Sequence, residues 1–214
     1  RECACLVLAA TAEVVGVAAR MRLIFGLAAV TAAAVVVAPA GNAGLLSCPA
    51  NGQPFAQFGD HSSYFGFSNN GFENGANGWS LHGAAVGAGN EPWYVNGWGS
   101  SSLSIGPGGT AASPRVCTAL LAPAWRMFAH ANGANGALRA QIVFYGLLGN
   151  VTGILNVTNF GPSDYASWEP SAHVPSLLSL PLATVSAQLV LTSTATSGTW
   201  QVDDVFVDPF GMRG

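Results

Sequence analysis

From Cys48 onward the chain alternates apolar and polar residues in short runs, broken by Gly, Asn, Ser and Pro. A period of two is the mark of a β-strand with one buried face. Gln188-Leu189-Val190-Leu191-Thr192 and Trp200-Gln201-Val202-Asp203 keep it clearly, and Leu138, Ile142 and Phe144 give a mixed but β-rich face. Strands are predicted over Gly78–Val86, Ser101–Ile105, Ala111–Ala119, Trp125–Ala131, Leu138–Gly146, Gly153–Thr158, Ala187–Ser193 and Thr199–Val207. Asn-Gly pairs at Asn70, Asn77, Asn96, Asn132 and Asn135 suit tight turns that need positive φ. No stretch keeps a helical apolar period for three turns without a breaker. Roughly eight strands with regular turn signals predict an all-β fold, a single β-sandwich or jelly roll over residues 70–210. The proline-rich stretch Asn159–Pro181 is expected to cross one end of it as a loop.

The first forty-odd residues have another pattern. Met21-Arg22 precedes the apolar run Leu23–Val37, and small residues follow at Ala38-Pro39-Ala40 and Gly41-Asn42-Ala43. That is the layout of a signal peptide over 21–43, so export is expected, with no stable membrane insertion after cleavage. Residues 1–20 read as an upstream extension outside the native product, carrying Cys3 and Cys5 with them. In an oxidising compartment the two remaining cysteines, Cys48 and Cys117, are expected to form a disulfide tying residues 44–69 to the domain. It would close a loop of about 70 residues, worth roughly 2–4 kcal/mol. The competing reading takes Leu45-Leu46-Ser47-Cys48 as a lipoprotein cleavage box, which would anchor Cys48 at the cell surface.

Charge narrows the chemistry. Only 8% of residues are charged and there is no lysine. A P-loop, a Schiff-base enzyme and a Ser-x-x-Lys enzyme are thereby excluded. From Gly44 on, four arginines face eight acids, a net charge of −4; such a surface cannot neutralise a run of phosphates, so nucleic acid is not an expected partner. Gly59-Asp60-His61-Ser62 echoes an esterase block, but no Asp-x-x-His follows. Adjacent side chains of an extended chain point apart, so His61 cannot serve Ser62 as base. Glu73, Glu91, Asp164 and Glu169 are the acids left for a glycosidase pair, and the four histidines stand singly. No catalytic residue is assigned. Aromatic residues carry the binding argument instead: Trp93, Tyr94, Trp98 and Trp168 lie in loop-like segments and are expected to face a ligand, whereas Trp79 and Trp200 are expected in the core.

Asn70-Gly71-Phe72-Glu73-Asn74-Gly75 leading into Gly78-Trp79-Ser80-Leu81 resembles the opening strand of galactose-binding-like jelly rolls, a fold shared by many carbohydrate-binding modules. Trp200-Gln201-Val202-Asp203-Asp204-Val205-Phe206-Val207 resembles their closing strand. Gly-Asn-Glu-Pro at 89–92 and Ser-Pro-x-x-Cys at 113–117 also resemble uncharacterised secreted actinobacterial proteins. The resemblance implies a structural Ca²⁺ held by Asn70, Glu73, Asp203 and Asp204, and a glycan or cell-surface polysaccharide as partner. The function expected is a secreted, non-catalytic carbohydrate-binding module. The alternatives are a structural or adhesive surface protein and a small secreted hydrolase.

Overall fold

The structure, a computed structural model, describes residues 52–117, 124–175 and 184–208, and for Cys117 only the backbone. The expected extension 1–20, the signal peptide 21–43 and the Cys48–Cys117 disulfide lie outside the described residues. Eleven strands occur among those described: β1 (Phe65–Gly66), β2 (Ser80–Ala88), β3 (Ser101–Ala112), β4 (Val116–Cys117), β5 (Ala124–Asn132), β6 (Leu138–Gly146), β7 (Val151–Phe160), β8 (Glu169–Pro170), β9 (Val174–Pro175), β10 (Thr184–Ser193) and β11 (Thr199–Asp208). A 3₁₀ turn, Ala56–Phe58, is the helical element among them.

The strands hydrogen-bond in the order β7-β6-β10-β3-β11-β5-β8, with β2 on β3, β1 on β11, β4 on β10 and β9 on β5. β3 changes partner midway. Thr110 to Ala112 pair with β10, whereas Leu103 to Ile105 pair with β11. Gly106-Pro107-Gly108-Gly109 lies between the two halves, opposite Gly83 of β2. Gly83 has φ +59° and faces Gly109, where an added Cβ would lie 3.1 Å from the Gly109 Cα; the close approach and the positive φ both require glycine. The turn splits the path into two layers, β7-β6-β10 and β11-β5, closed over one core. The two predicted segments Ser101–Ile105 and Ala111–Ala119 are therefore one bent strand as far as Ala112, because glycines that read as a break serve as the corner.

Alternation fills the core. β6 contributes Leu138, Ala140, Ile142 and Phe144; β10 contributes Ala187, Leu189 and Leu191; β5 contributes Trp125, Met127, Ala129 and Ala131; β11 contributes Trp200 and Val202. Each large side chain removed from water contributes about 1.5–3 kcal/mol before entropy is counted. Trp79 and Trp200 are buried, as expected.

The β11-β5 layer is also covered on its outer face. Phe55, Tyr64, Phe128 and Phe206 form a second buried cluster, with Phe58, Trp93, Val95 and Trp168 packed against it. Residues 52–66 thus belong to the packed body, and the domain boundary expected at residue 69 does not mark an edge of packing. Double coverage explains why β11 is buried without interruption from Val202 to Asp208. In the Asn159–Pro181 stretch, Pro170 and Pro175 confine β8 and β9 to two residues each beside β5, as suits a residue with no N–H for a ladder.

Candidate functional site

Residues 89–101 form a loop over the outer face of the β11-β5 layer, and two glutamates hold its ends. The side chain of Glu91 is fully buried; Oε2 accepts the Trp93 N–H at 2.5 Å and Oε1 the Val95 N–H at 2.7 Å. Glu73 accepts the Ser100 and Ser101 N–H groups, each at 2.8 Å. Between these anchors the chain turns sharply: Tyr94 has φ 53° and the Gly97 N–H returns to the Tyr94 carbonyl at 3.0 Å.

This turn displays two aromatic rings. Trp98 is 91% exposed and Tyr94 42% exposed. Their centroids are 4.9 Å apart, with ring planes inclined by 43°. The other two rings expected to face a ligand do not join them. Trp93 is turned inward, 4.9 Å from the Phe58 ring and 5.3 Å from that of Phe128. Trp168 is partly buried against His130, at 5.7 Å. Loop position alone does not tell an outward ring from one that closes a second apolar cluster.

The acids expected to hold calcium are likewise rearranged. Asp203 and Asp204 are buried where β11 bulges, and Asp204 has φ 47°. The Glu91 N–H donates to Asp203 Oδ2 at 3.1 Å and the Asp204 N–H to Oδ1 at 2.8 Å. Asn70 is beside them, its carbonyl accepting the Val205 N–H at 3.0 Å. The carboxylate that joins the pair is Glu91 and not Glu73, whose oxygens face Ser100 and Ser101. Burial, and then the neighbouring Asp204 charge, push Asp203 up to about 8. Burial, and then Glu91, push Asp204 up to about 7. Calcium takes six to eight oxygens, whereas every oxygen of Glu91 and Asp203 already accepts a backbone N–H. Among the described residues no three acids, histidines or cysteines are arranged to share a metal ion. Asn70, Asp203 and Asp204 lie together there with Glu91 in the place expected of Glu73, and no step is derived from a bound ion.

A third polar cluster fixes the N-terminal segment. Asp60, in the Gly-Asp-His-Ser block, pairs through Oδ2 with Arg126 Nη1 of β5. The same oxygen accepts the Tyr64 hydroxyl at 2.5 Å and meets His173 Nε2 at 2.9 Å. Oδ1 accepts the Ser62 N–H at 3.0 Å. Burial acts to raise the Asp60 pKa, but the bonds from Tyr64, His173 and Ser62 outweigh it and hold the carboxyl well below its usual range. Tyr64 moves upward, from burial first and then from the Asp60 charge. Sequence reasoning missed both Asp60 and Glu91 as organisers; the Asn-Glu-Pro context of Glu91 was the available signal.

Fold and site together define a β-sandwich module that displays an aromatic loop. No family model and no curated protein matches the chain. Similar solved structures include the enzymatically active domain of tailspike protein 4 from bacteriophage CBA120, at 14% identity over 65% of this chain and TM-score 0.46; this chain spans 20% of that one. A family 61 carbohydrate-binding module, TmCBM61 in complex with β-1,4-galactotriose, aligns at 12% identity over 66% of this chain and 95% of its own, with TM-score 0.41. The C-terminal family 22 carbohydrate-binding module of Clostridium thermocellum Xyn10B aligns at 14% identity over 68% of this chain and 93% of its own, with TM-score 0.45.

Proposed function

We propose that this protein is an exported carbohydrate-binding module that meets its glycan at the Tyr94–Trp98 loop and carries out no chemistry on it. The observation that supports the reading most is the almost fully exposed Trp98 ring beside Tyr94, on a loop held by the carboxylates of Glu91 and Glu73. Large aromatic rings left in water on a braced loop are unfavourable unless they are used. A sugar ring offers an apolar C–H face to cover them, and its hydroxyls remain in water. The test is an immobilised glycan panel that includes β-1,4-galactotriose and xylan. Saturable binding that Trp98→Ala weakens by about tenfold, roughly 1.4 kcal/mol, with the melting temperature unchanged, supports the reading. No glycan bound across the panel rejects it.

A second reading, an adhesive or assembling surface protein, is favoured by a separate patch. Leu147, Leu148, Val151 and Ile154 are all more than half exposed around the β6–β7 turn. Self-association that disappears in Leu148→Ser would favour it. Calcium, implied by the resemblance, would draw on the carboxylates of Glu91, Asp203 and Asp204 beside Asn70. A melting temperature raised by CaCl2 and lowered by EDTA at pH 8 would support its entry; no shift would exclude it. Export itself is tested by the mass of the N-terminus of the product recovered from culture medium.

A further inference from the structure

The loop that turns Tyr94 and Trp98 outward turns the residues between them the other way. Val95 and Asn96 line a cleft of about 360 Å³ beneath the loop, together with Gln53, Tyr64, Asn70 and Phe206. That volume lies within the ~300–1,000 Å³ typical of small-molecule sites. Its lining holds no acid, arginine or histidine. The Tyr64 hydroxyl donates to Asp60 and is shifted toward its neutral form, so the walls offer three side-chain amides, a neutral phenol and apolar surface.

One of those amides is left without a partner. Asn70 is 7% exposed; its Oδ1 accepts a bond from Asn96 Nδ2 at 3.1 Å, but its own Nδ2 donates to nothing. A buried donor left unmade costs about 1–3 kcal/mol. Gly66 of β1, which also lines the cleft, lies directly against this amide: a Cβ there would meet Asn70 Nδ2 at 2.9 Å and its Cγ and Oδ1 at 3.1 Å, so any side chain would displace it. Gly66 needs no positive φ, so the missing side chain makes room for the Asn70 amide and is not required by the backbone.

We infer that this cleft is a second subsite, seating one uncharged sugar residue whose ring or hydroxyl oxygen accepts the bond from Asn70 Nδ2. A charged sugar would have to shed its hydration against amides with no counter-charge, so uronic and sialic acids are disfavoured. The outer ring pair and the inner cleft share one loop, so a chain crossing Tyr94 and Trp98 can place its end residue inside. The identity of the ligand rests on the carbohydrate reading above; the existence of the subsite rests on Asn70 and Gly66.

The experiment is a titration of ¹⁵N-labelled protein with D-galactose, D-xylose and D-glucuronate, following the Asn70 side-chain amide, the Gly66 amide and the Trp98 indole. The expected result is a saturable shift of Asn70 and Gly66 with a neutral sugar and none with glucuronate. Trp98→Ala keeps that shift, and Gly66→Ala weakens it by about tenfold, the loss of one bond to a buried amide. A response at Trp98 with none at Asn70 overturns the subsite and leaves the ring platform standing. Silence at all three signals with these sugars, together with an empty glycan panel, overturns the carbohydrate reading and the subsite's ligand with it. A shift at Asn70 that Gly66→Ala leaves unchanged, in a variant whose other signals are retained, overturns the cleft as its source.

Discussion

Two buried acid clusters lie on the same layer of this sandwich and behave in opposite ways. At Asp60 a carboxylate is surrounded by donors: Arg126, the Tyr64 hydroxyl, His173 and the Ser62 N–H. At the β11 bulge, Asp203 and Asp204 face another acid, Glu91, and their donors are backbone N–H groups and the Asn96 amide. One carboxyl is held ionised and the other two are pushed toward their protonated forms. Residue type is the same, so the neighbours decide the charge. The clusters also divide the labour. Asp60 fastens residues 52–66 to β5, and Glu91 fastens the aromatic loop to β11.

The largest effect is expected from breaking the first cluster. Arg126→Ala leaves Asp60 without its cation and the Phe55 ring without the guanidinium 4.5 Å above it. Loss of one partner from a largely buried pair costs about 3 kcal/mol, measurable as a lowered urea midpoint. A midpoint unchanged from wild type would mean that the clamp holds nothing.

Next in size is the response to pH, whose sign follows from the shifts. Asp203 and Asp204 rise from 3.8 to about 8 and about 7 on folding. The folded state therefore holds its protons longer than the unfolded one, and stability falls as pH rises from about 4 toward 8. Asp60 is lowered, so its contribution is present above about pH 4 and is lost as pH falls below that. The melting temperature should peak on the acidic side of neutrality. Asp60→Asn should remove the acid limb alone. A peak above pH 8 would contradict the shifts of Asp203 and Asp204, and an unchanged acid limb in Asp60→Asn would contradict that of Asp60.

A smaller change sharpens the contrast. Asp204 has a left-handed backbone that asparagine tolerates. Asp204→Asn removes one charge from the crowd without straining the bulge, and should stabilise by about 1 kcal/mol at pH 8 with little change at pH 4. The smallest effect is expected at His173, whose side chain is 42% exposed. His173→Ala should cost no more than about 1 kcal/mol, the usual worth of a solvent-facing pair, read from the same urea curves.

Alternation made most of the strands legible. Leu138–Gly146 is found with both ends as predicted, because one face of β6 meets the core and the other does not. It failed where that physics fails: β3 bends through glycines that carry no side-chain pattern. β11 is found over Thr199–Asp208 against the expected Thr199–Val207, although it is covered on two sides beyond Val202. The candidate site was legible only as composition. Trp93 and Trp98 are five residues apart in one loop, and the partner that turns Trp93 inward, Phe128, is distant in sequence. The same holds for acids: the opening motif pointed to Glu73 as the neighbour of Asp203, but fold geometry brings Glu91 there and leaves Glu73 to cap the start of β3.

The most direct measurement is tryptophan fluorescence during titration with β-1,4-galactotriose and xylohexaose. Of the six tryptophans, Trp98 alone is nearly fully exposed, so bound glycan should change the emission saturably. The change should vanish in Trp98→Phe, while a second probe such as calorimetry still detects weakened binding. Glycan binding of undiminished affinity in the Tyr94→Ala/Trp98→Ala double variant would contradict the account, because the ligand would then be held elsewhere on the sandwich.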